Sequence, residues 1–113
     1  METKFNFNSQ VCTSKVQSER LLALGLKKET ADMHYRYFGR DSKGEVKHYS
    51  EPSVGRPFSY DVPAWSLHRL IEIVAQTKYP YRVISKELPI YDALCERIEW
   101  LIKEGYFNKE YLV

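Results

Sequence analysis

The sequence predicts an α+β fold: two to three main helices packed on a small antiparallel sheet, in a single domain spanning residues 1–113. Three observations lead there. The stretch from Asp61 to Gln76 reads as a tight lead-in loop followed by an amphipathic helix, and residues 89–103 repeat apolar side chains at helical spacing. Between 33 and 50, two tyrosine-bearing runs flank a glycine-containing turn, the pattern of a hairpin. The composition is 43% apolar with nine Tyr, five Phe and two Trp, too aromatic and too nearly neutral for a disordered chain.

The elements follow in chain order. Phe5 and Phe7 alternate with Asn6 and Asn8 ahead of Val11, which fits a short edge strand or an arm whose rings pack on the core. Ser14 and Gln17 have the spacing of a capping box, in which each side chain serves the other's backbone amide. Val16, Leu21, Leu22 and Leu24 supply an apolar stripe, and Gly25 ends the helix as a left-handed cap with Leu26 beside it, so a helix is expected over 14–24. Thr30 is placed to cap a short turn through Ala31, Asp32 and Met33.

The hairpin of 33–50 turns at Asp41-Ser42-Lys43-Gly44, a type I composition. That turn sets Arg40 opposite Glu45, Tyr37 opposite His48 and Arg36 opposite Tyr49. Ser50 to Arg56 reads as loop. Ser66 caps the helix that begins at Leu67, and Pro80 stops it by disfavouring helix through Tyr79. Tyr81 to Ile84 is expected as a third strand. Pro89 opens the last helix, whose Ile90, Leu94, Ile98, Leu101 and Ile102 share one face; Asp92 in its first turn, Lys103 in its last and Gly105 after it suit the macrodipole and the C-cap.

Charge and motifs exclude several classes. The 17 basic and 15 acidic groups are spread along the chain, ten against seven in 1–60 and seven against eight in 61–113, without the basic excess usual in a dedicated nucleic-acid domain. The five glycines are isolated, which excludes a P-loop. Cys12 and Cys95 lie far apart and no apolar leader precedes them, as expected of a reducing compartment. No run approaches the length of a membrane span. The expectation is a soluble, cytoplasmic chain with no membrane partner.

Asp61, Ser66 and His68 contain the residue types of a nucleophilic triad, but a capping Ser66 already gives its hydroxyl to a backbone amide and no G-x-S-x-G elbow is present. Among His34, His48, His68, Cys12 and Cys95 no pair has metal-ligand spacing, and no metal or cofactor is expected. Glu87, Asp92, Glu96 and Glu99 read as a solvated acidic face. The basic and aromatic segment from His34 to Tyr60 is the main functional candidate. It interleaves Tyr35, Tyr37, Phe38, Tyr49, Phe58 and Tyr60 with Arg36, Arg40, Lys43, Lys47 and Arg56. Rings that stack on bases beside cations that meet phosphates suit single-stranded nucleic acid; the plainer reading is a half-buried hairpin with its rings inward. Trp65 is either a surface anchor for a partner or, more often at a helix entrance, a staple that packs the incoming loop on the first turn.

Short echoes run through most of the chain: Cys12-Thr13-Ser14 with Gln17-Ser18 and Leu21, Thr30-Ala31-Asp32-Met33, Pro63-Ala64-Trp65-Ser66-Leu67, then Ala93, Ile98, Trp100-Leu101 and Gly105-Tyr106. In these the chain resembles small uncharacterised proteins encoded by phages and integrated elements of gut Bacteroidetes. The resemblance implies an origin on a mobile element and no particular activity.

The expected function is that of a non-enzymatic accessory protein that binds another protein, with Trp65, Tyr35, Tyr37 and Phe58 at the contact and self-association open. The second expectation is a nucleic-acid module using Arg36, Tyr37, Arg40, Lys43, Lys47 and Tyr49. The third is a small enzyme with no recognised constellation and no catalytic residue to name.

Overall fold

The computed structural model describes residues 10–40, 47–77 and 87–113, with the backbone alone at 38–40 and 47–48. Within them three helices pack beside a three-stranded antiparallel sheet, an α+β arrangement. The expected arm around Phe5, the Asp41–Gly44 turn and the Tyr81–Ile84 strand lie outside the described residues.

Helix α1 (Lys15–Ala23) forms where the capping box predicts. The Gln17 amide donates to Ser14 Oγ at 3.1 Å and the Ser14 amide to Gln17 Oε1 at 2.9 Å. Gln17 then reaches on through Nε2 to Asp92 Oδ1 at 2.7 Å, tying α1 to α3. Its exit is a complete Schellman turn: Gly25 has φ 99°, its amide bonds Leu22 O, and the Leu26 amide bonds Leu21 O. The expected apolar stripe is narrower than the sequence implies. Leu21 is fully buried, whereas Val16 and Leu22 face solvent and Leu24 is half-buried. Leu21 points into the core and Leu24 packs at its margin, whereas 3.6-residue periodicity sets Val16 and Leu22 on other faces.

The short turn foreseen after Thr30 instead precedes it, as a 3-10 turn at Lys28–Thr30. Thr30 closes that turn by donating its hydroxyl to Lys27 O at 2.6 Å, which releases Ala31 and Asp32 to extended backbone and lets β1 (Met33–Arg40) begin. Strand β2 (Lys47–Val54) pairs with β1, as the hairpin expectation required, but in another register. Arg40 faces Lys47, Gly39 faces His48 and Tyr37 faces Tyr49. Irregularities between Tyr35 and Tyr37, and again between Tyr37 and Gly39, break the strict alternation on which the expected pairs rested. Nor is 50–56 all loop: β2 runs on to Val54, passing through Pro52. Proline is tolerated there because, among the described residues, the strand order β2-β1-β3 leaves β2 at an edge.

Among the described residues the third strand lies inside the expected lead-in loop. Strand β3 (Val62–Ala64) pairs with β1 as Met33↔Ala64, His34↔Pro63 and Tyr35↔Val62. Three residues containing a proline give too little alternation to be read as strand from sequence. Helix α2 (Leu67–Ala75) follows at once, with Ser66 Oγ accepting the Arg69 amide at 3.1 Å. The serine is itself held by Asp32, whose carboxylate accepts both the Ser66 amide at 2.9 Å and its hydroxyl at 2.5 Å.

Helix α3 (Ile90–Lys103) buries Leu94, Ile98 and Leu101 on the predicted face, with Ile102 half-buried and Ile90 at the exposed end. It ends in a second Schellman turn at Gly105, φ 76°, with Tyr106 N bonded to Leu101 O. The tail then returns to the first such turn, where Val113 N donates to Gly25 O at 2.7 Å and Lys27 N to Tyr111 O at 2.7 Å.

Trp65 joins the layers. It is wholly buried among Leu21, Leu70, Leu94 and Ile98, and its indole N–H donates to Thr30 Oγ1 at 2.9 Å. Trp65 immediately precedes the cap and Leu70 lies one turn into α2, so the pair forms the hydrophobic staple. A second, smaller cluster of Cys12, Met33 and Ala64, with Tyr35 against it, lies on the sheet side.

Candidate interaction surface

The short β3 creates the site. Its last pair with β1 is Tyr35↔Val62, and the next amide of β1 that needs a partner on that side is Tyr37 N. Asp61 takes it with its side chain: Oδ1 accepts Tyr37 N at 2.9 Å, so the carboxylate continues the ladder where backbone pairing stops. Oδ2 accepts Phe58 N at 2.8 Å, while Asp61 N returns to Phe58 O at 3.0 Å. The second bond defines a β-turn over 58–61 and the first locks it from inside. Lys28 Nζ grips the same turn from outside, donating to Phe58 O at 2.5 Å and Ser59 O at 2.9 Å.

The other end of the segment is held as firmly. Gly55 has φ 127°, a conformation that suits glycine alone; its amide donates to Asp32 O at 2.9 Å, and its carbonyl lies 3.0 Å from His34 Nδ1. A Cβ there would meet the His34 ring at 3.6 Å. Residues 55–61 thus hang from Asp32, His34, Lys28 and Asp61.

Arg36 sits in the middle. Its Nε lies 3.3 Å from Asp61 Oδ2, its Nη2 is 3.0 Å from His34 Nε2, and the Phe58 ring lies 4.3 Å below the guanidinium. Asp61 is 7% exposed, and burial pushes its carboxyl up. The amides of Tyr37 and Phe58, then the Arg36 charge, outweigh that and hold it below the usual carboxylate range. The neighbouring rings form a row: Tyr37 packs on Tyr49 at 5.6 Å and on Tyr60 at 6.0 Å, and Lys15 Nζ lies 4.8 Å over Tyr49 and 5.8 Å over Tyr35.

What this frame holds out is apolar. Phe58 is 64% exposed, Tyr60 78% and Val54 84%. Beside them an open depression of about 410 Å³ is bounded by His34, Arg36, Ser50, Ser53 and Val54. A smaller one of about 240 Å³ lies between Lys28, Arg56 and Phe58.

The expected contact residues fare unequally. Phe58 is on the surface, Tyr35 and Tyr37 are half-buried, and Trp65 is fully buried, a core staple with no face to offer a partner. Of the nucleic-acid set, Tyr37 and Tyr49 pack on each other, while Arg36 pairs with Asp61. Arg40 and Lys47 are known only as a backbone pair, and Lys43 lies outside the described residues. The residues of the imagined triad have separate partners: Ser66 with Asp32 and Arg69, Asp61 with Tyr37, Phe58 and Arg36, His68 with Glu72 at 3.4 Å. Among the described residues no group of three or more His, Cys, Asp and Glu stands close enough to hold a metal, and no helix is long and apolar enough to cross a membrane. Sequence reasoning missed Asp61, His34 and Lys28 as the loop's holders. The only local signal was Asp61 three residues after Phe58, the spacing of a turn closed by an aspartate.

Comparison with protein-family models, with curated proteins and with solved structures finds no match to this chain.

Proposed function

We propose that this protein is a non-enzymatic interaction module that binds a partner protein through the 54–60 segment and the adjoining face of the hairpin. One observation carries the reading: Phe58 and Tyr60, 64% and 78% exposed, stand on a backbone already fixed by hydrogen bonds at both ends. Aromatic side chains with few rotatable bonds, presented on an ordered loop, lose little entropy on binding and are the usual carriers of interface energy. Arg36 beside Phe58 adds the other residue type enriched at such hot spots. On its resemblance to mobile-element proteins we take the chain to derive from such an element.

Three of the nearby cations weigh against nucleic acid as the ligand. Arg36 is matched by Asp61, Lys28 is spent on two carbonyls, and Lys15 lies over tyrosine rings. The test is a pull-down of the tagged protein from host lysate, with and without nuclease, beside the double variant Phe58→Ala, Tyr60→Ala. The side chains are exposed, so the variant is expected to keep its melting temperature within a few degrees and to lose the captured protein in both halves. Capture unaffected by the double substitution rejects this surface. Capture that vanishes only with nuclease transfers it to nucleic acid, whose affinity then falls linearly with salt on a log–log scale. A second copy as the captured partner would appear as a dimer by light scattering that the variant abolishes.

A further inference from the structure

The hydrogen-bonding inventory around His34 admits one protonation state. The ring is 5% exposed and meets a partner at each nitrogen: Gly55 O at 3.0 Å from Nδ1 and Arg36 Nη2 at 3.0 Å from Nε2. A carbonyl oxygen only accepts, and a guanidinium only donates. The proton therefore sits on Nδ1 and the lone pair on Nε2, which makes the imidazole neutral. We infer that His34 is a proton-operated latch for the binding loop. With one proton it bridges Gly55 to Arg36; with two it sets an N–H against an N–H and a positive charge against a positive charge, and releases Arg36.

Among the described residues, the charges that face the ring are few. On its own strand there is Arg36, and just before β3 there is Asp61, whose Oδ2 lies 3.3 Å from Arg36 Nε. The residues paired with His34 across the sheet, Ser53 and Pro63, carry none, and Arg56 follows Gly55 in the loop. Uptake of the second proton leaves the Gly55 bond intact and removes one of the three contacts that position the guanidinium. Arg36 then moves toward Asp61, and the Phe58 ring stacked on it loses its fixed seat. This rests on the loop being the binding surface only for its biological use; the latch itself is a property of the free protein.

The experiment is nitrogen-detected NMR of the unliganded chain, with the pH lowered stepwise from about 7.5 to about 5. The expected result is the Nδ1–H tautomer of His34 at the upper pH, then a joint shift of the Arg36 Nε–H and Phe58 amide signals as the ring takes its second proton. His68→Gln, at an exposed ring paired with Glu72 and not with Arg36, should leave that joint shift unchanged. His34→Gln, which keeps an acceptor for Arg36 and cannot titrate, is expected to remove the joint shift. An Nε2–H tautomer, a His34 that stays neutral to about pH 5, an unmoved Arg36 and Phe58, or a response persisting in H34Q each overturns the latch. No partner is needed for any of these readouts, so failure of the latch and failure of the protein-binding reading are separate results.

Discussion

Asp61→Ala tests the frame that holds the loop. Its carboxylate accepts two backbone amides, Tyr37 N at 2.9 Å and Phe58 N at 2.8 Å, from a site 7% exposed. A hydrogen bond to a charged group contributes about 1.5–3 kcal/mol, so losing two costs roughly 3–6 kcal/mol. The Arg36 guanidinium is partly open to water, which takes over some of its solvation and keeps the loss near the lower half of that range, about 3–4 kcal/mol. For a domain of this size that lowers the melting temperature by roughly 12–20 °C. Urea unfolding near pH 7 reads it directly. The pH dependence gives a second check with Asp61→Asn, which retains shape but not charge. The folded carboxyl is held below its ordinary value, so its stabilisation is fully present above the unfolded value of about 3.9. It is lost as pH falls through the lower folded value. The gap between wild type and D61N should therefore narrow in acid. A D61A loss under about 1 kcal/mol at neutral pH, below what even one charged hydrogen bond contributes, refutes the idea that Asp61 substitutes for strand pairing.

Two further substitutions and one chemical probe test the core. Thr30→Val preserves shape but leaves the buried Trp65 indole N–H without its 2.9 Å acceptor, and should cost about 1–3 kcal/mol in urea unfolding; a change under about 0.5 kcal/mol removes the hydroxyl from the account. Trp65→Ala, which empties the staple at a fully buried position, should cost about 3–5 kcal/mol, whereas a change near zero would return Trp65 to the surface. Cys95 is fully buried, and burial pushes its thiol up to about 11. With Cys12, also buried and shifted upward by burial, it should resist Ellman's reagent near pH 8 until the chain unfolds. Since the folded thiol keeps its proton above the unfolded value of about 8.5, stability should decline as pH rises from there toward about 11. Rapid native labelling contradicts the packing.

The helices and their ends were legible because their causes are local. A capping box, a capping serine and two glycines after apolar runs act within five residues, and each appears where the sequence puts it. The hairpin was legible as a hairpin, but its register was not, since two irregularities in β1 and β2 depend on what the strands pack against. The aromatic and basic segment was visible as composition only. Which ring is buried and which is offered to solvent follows from long-range partners: Lys28 on the turn at 58–59, Asp32 on Gly55, His34 on Arg36. Trp65 shows the same division. Sequence placed it at a helix entrance, and only the meeting of α1, α2 and α3 around it decided that it is core. Local hydrogen bonds and side-chain periodicity are written in neighbouring residues, so the sequence by itself determined the helices, their caps and the presence of a strand pair. Burial and the pairing of distant polar groups arise only when the chain closes on itself, so the tertiary structure alone decided the third strand, the register and the loop that Asp61 and His34 hold.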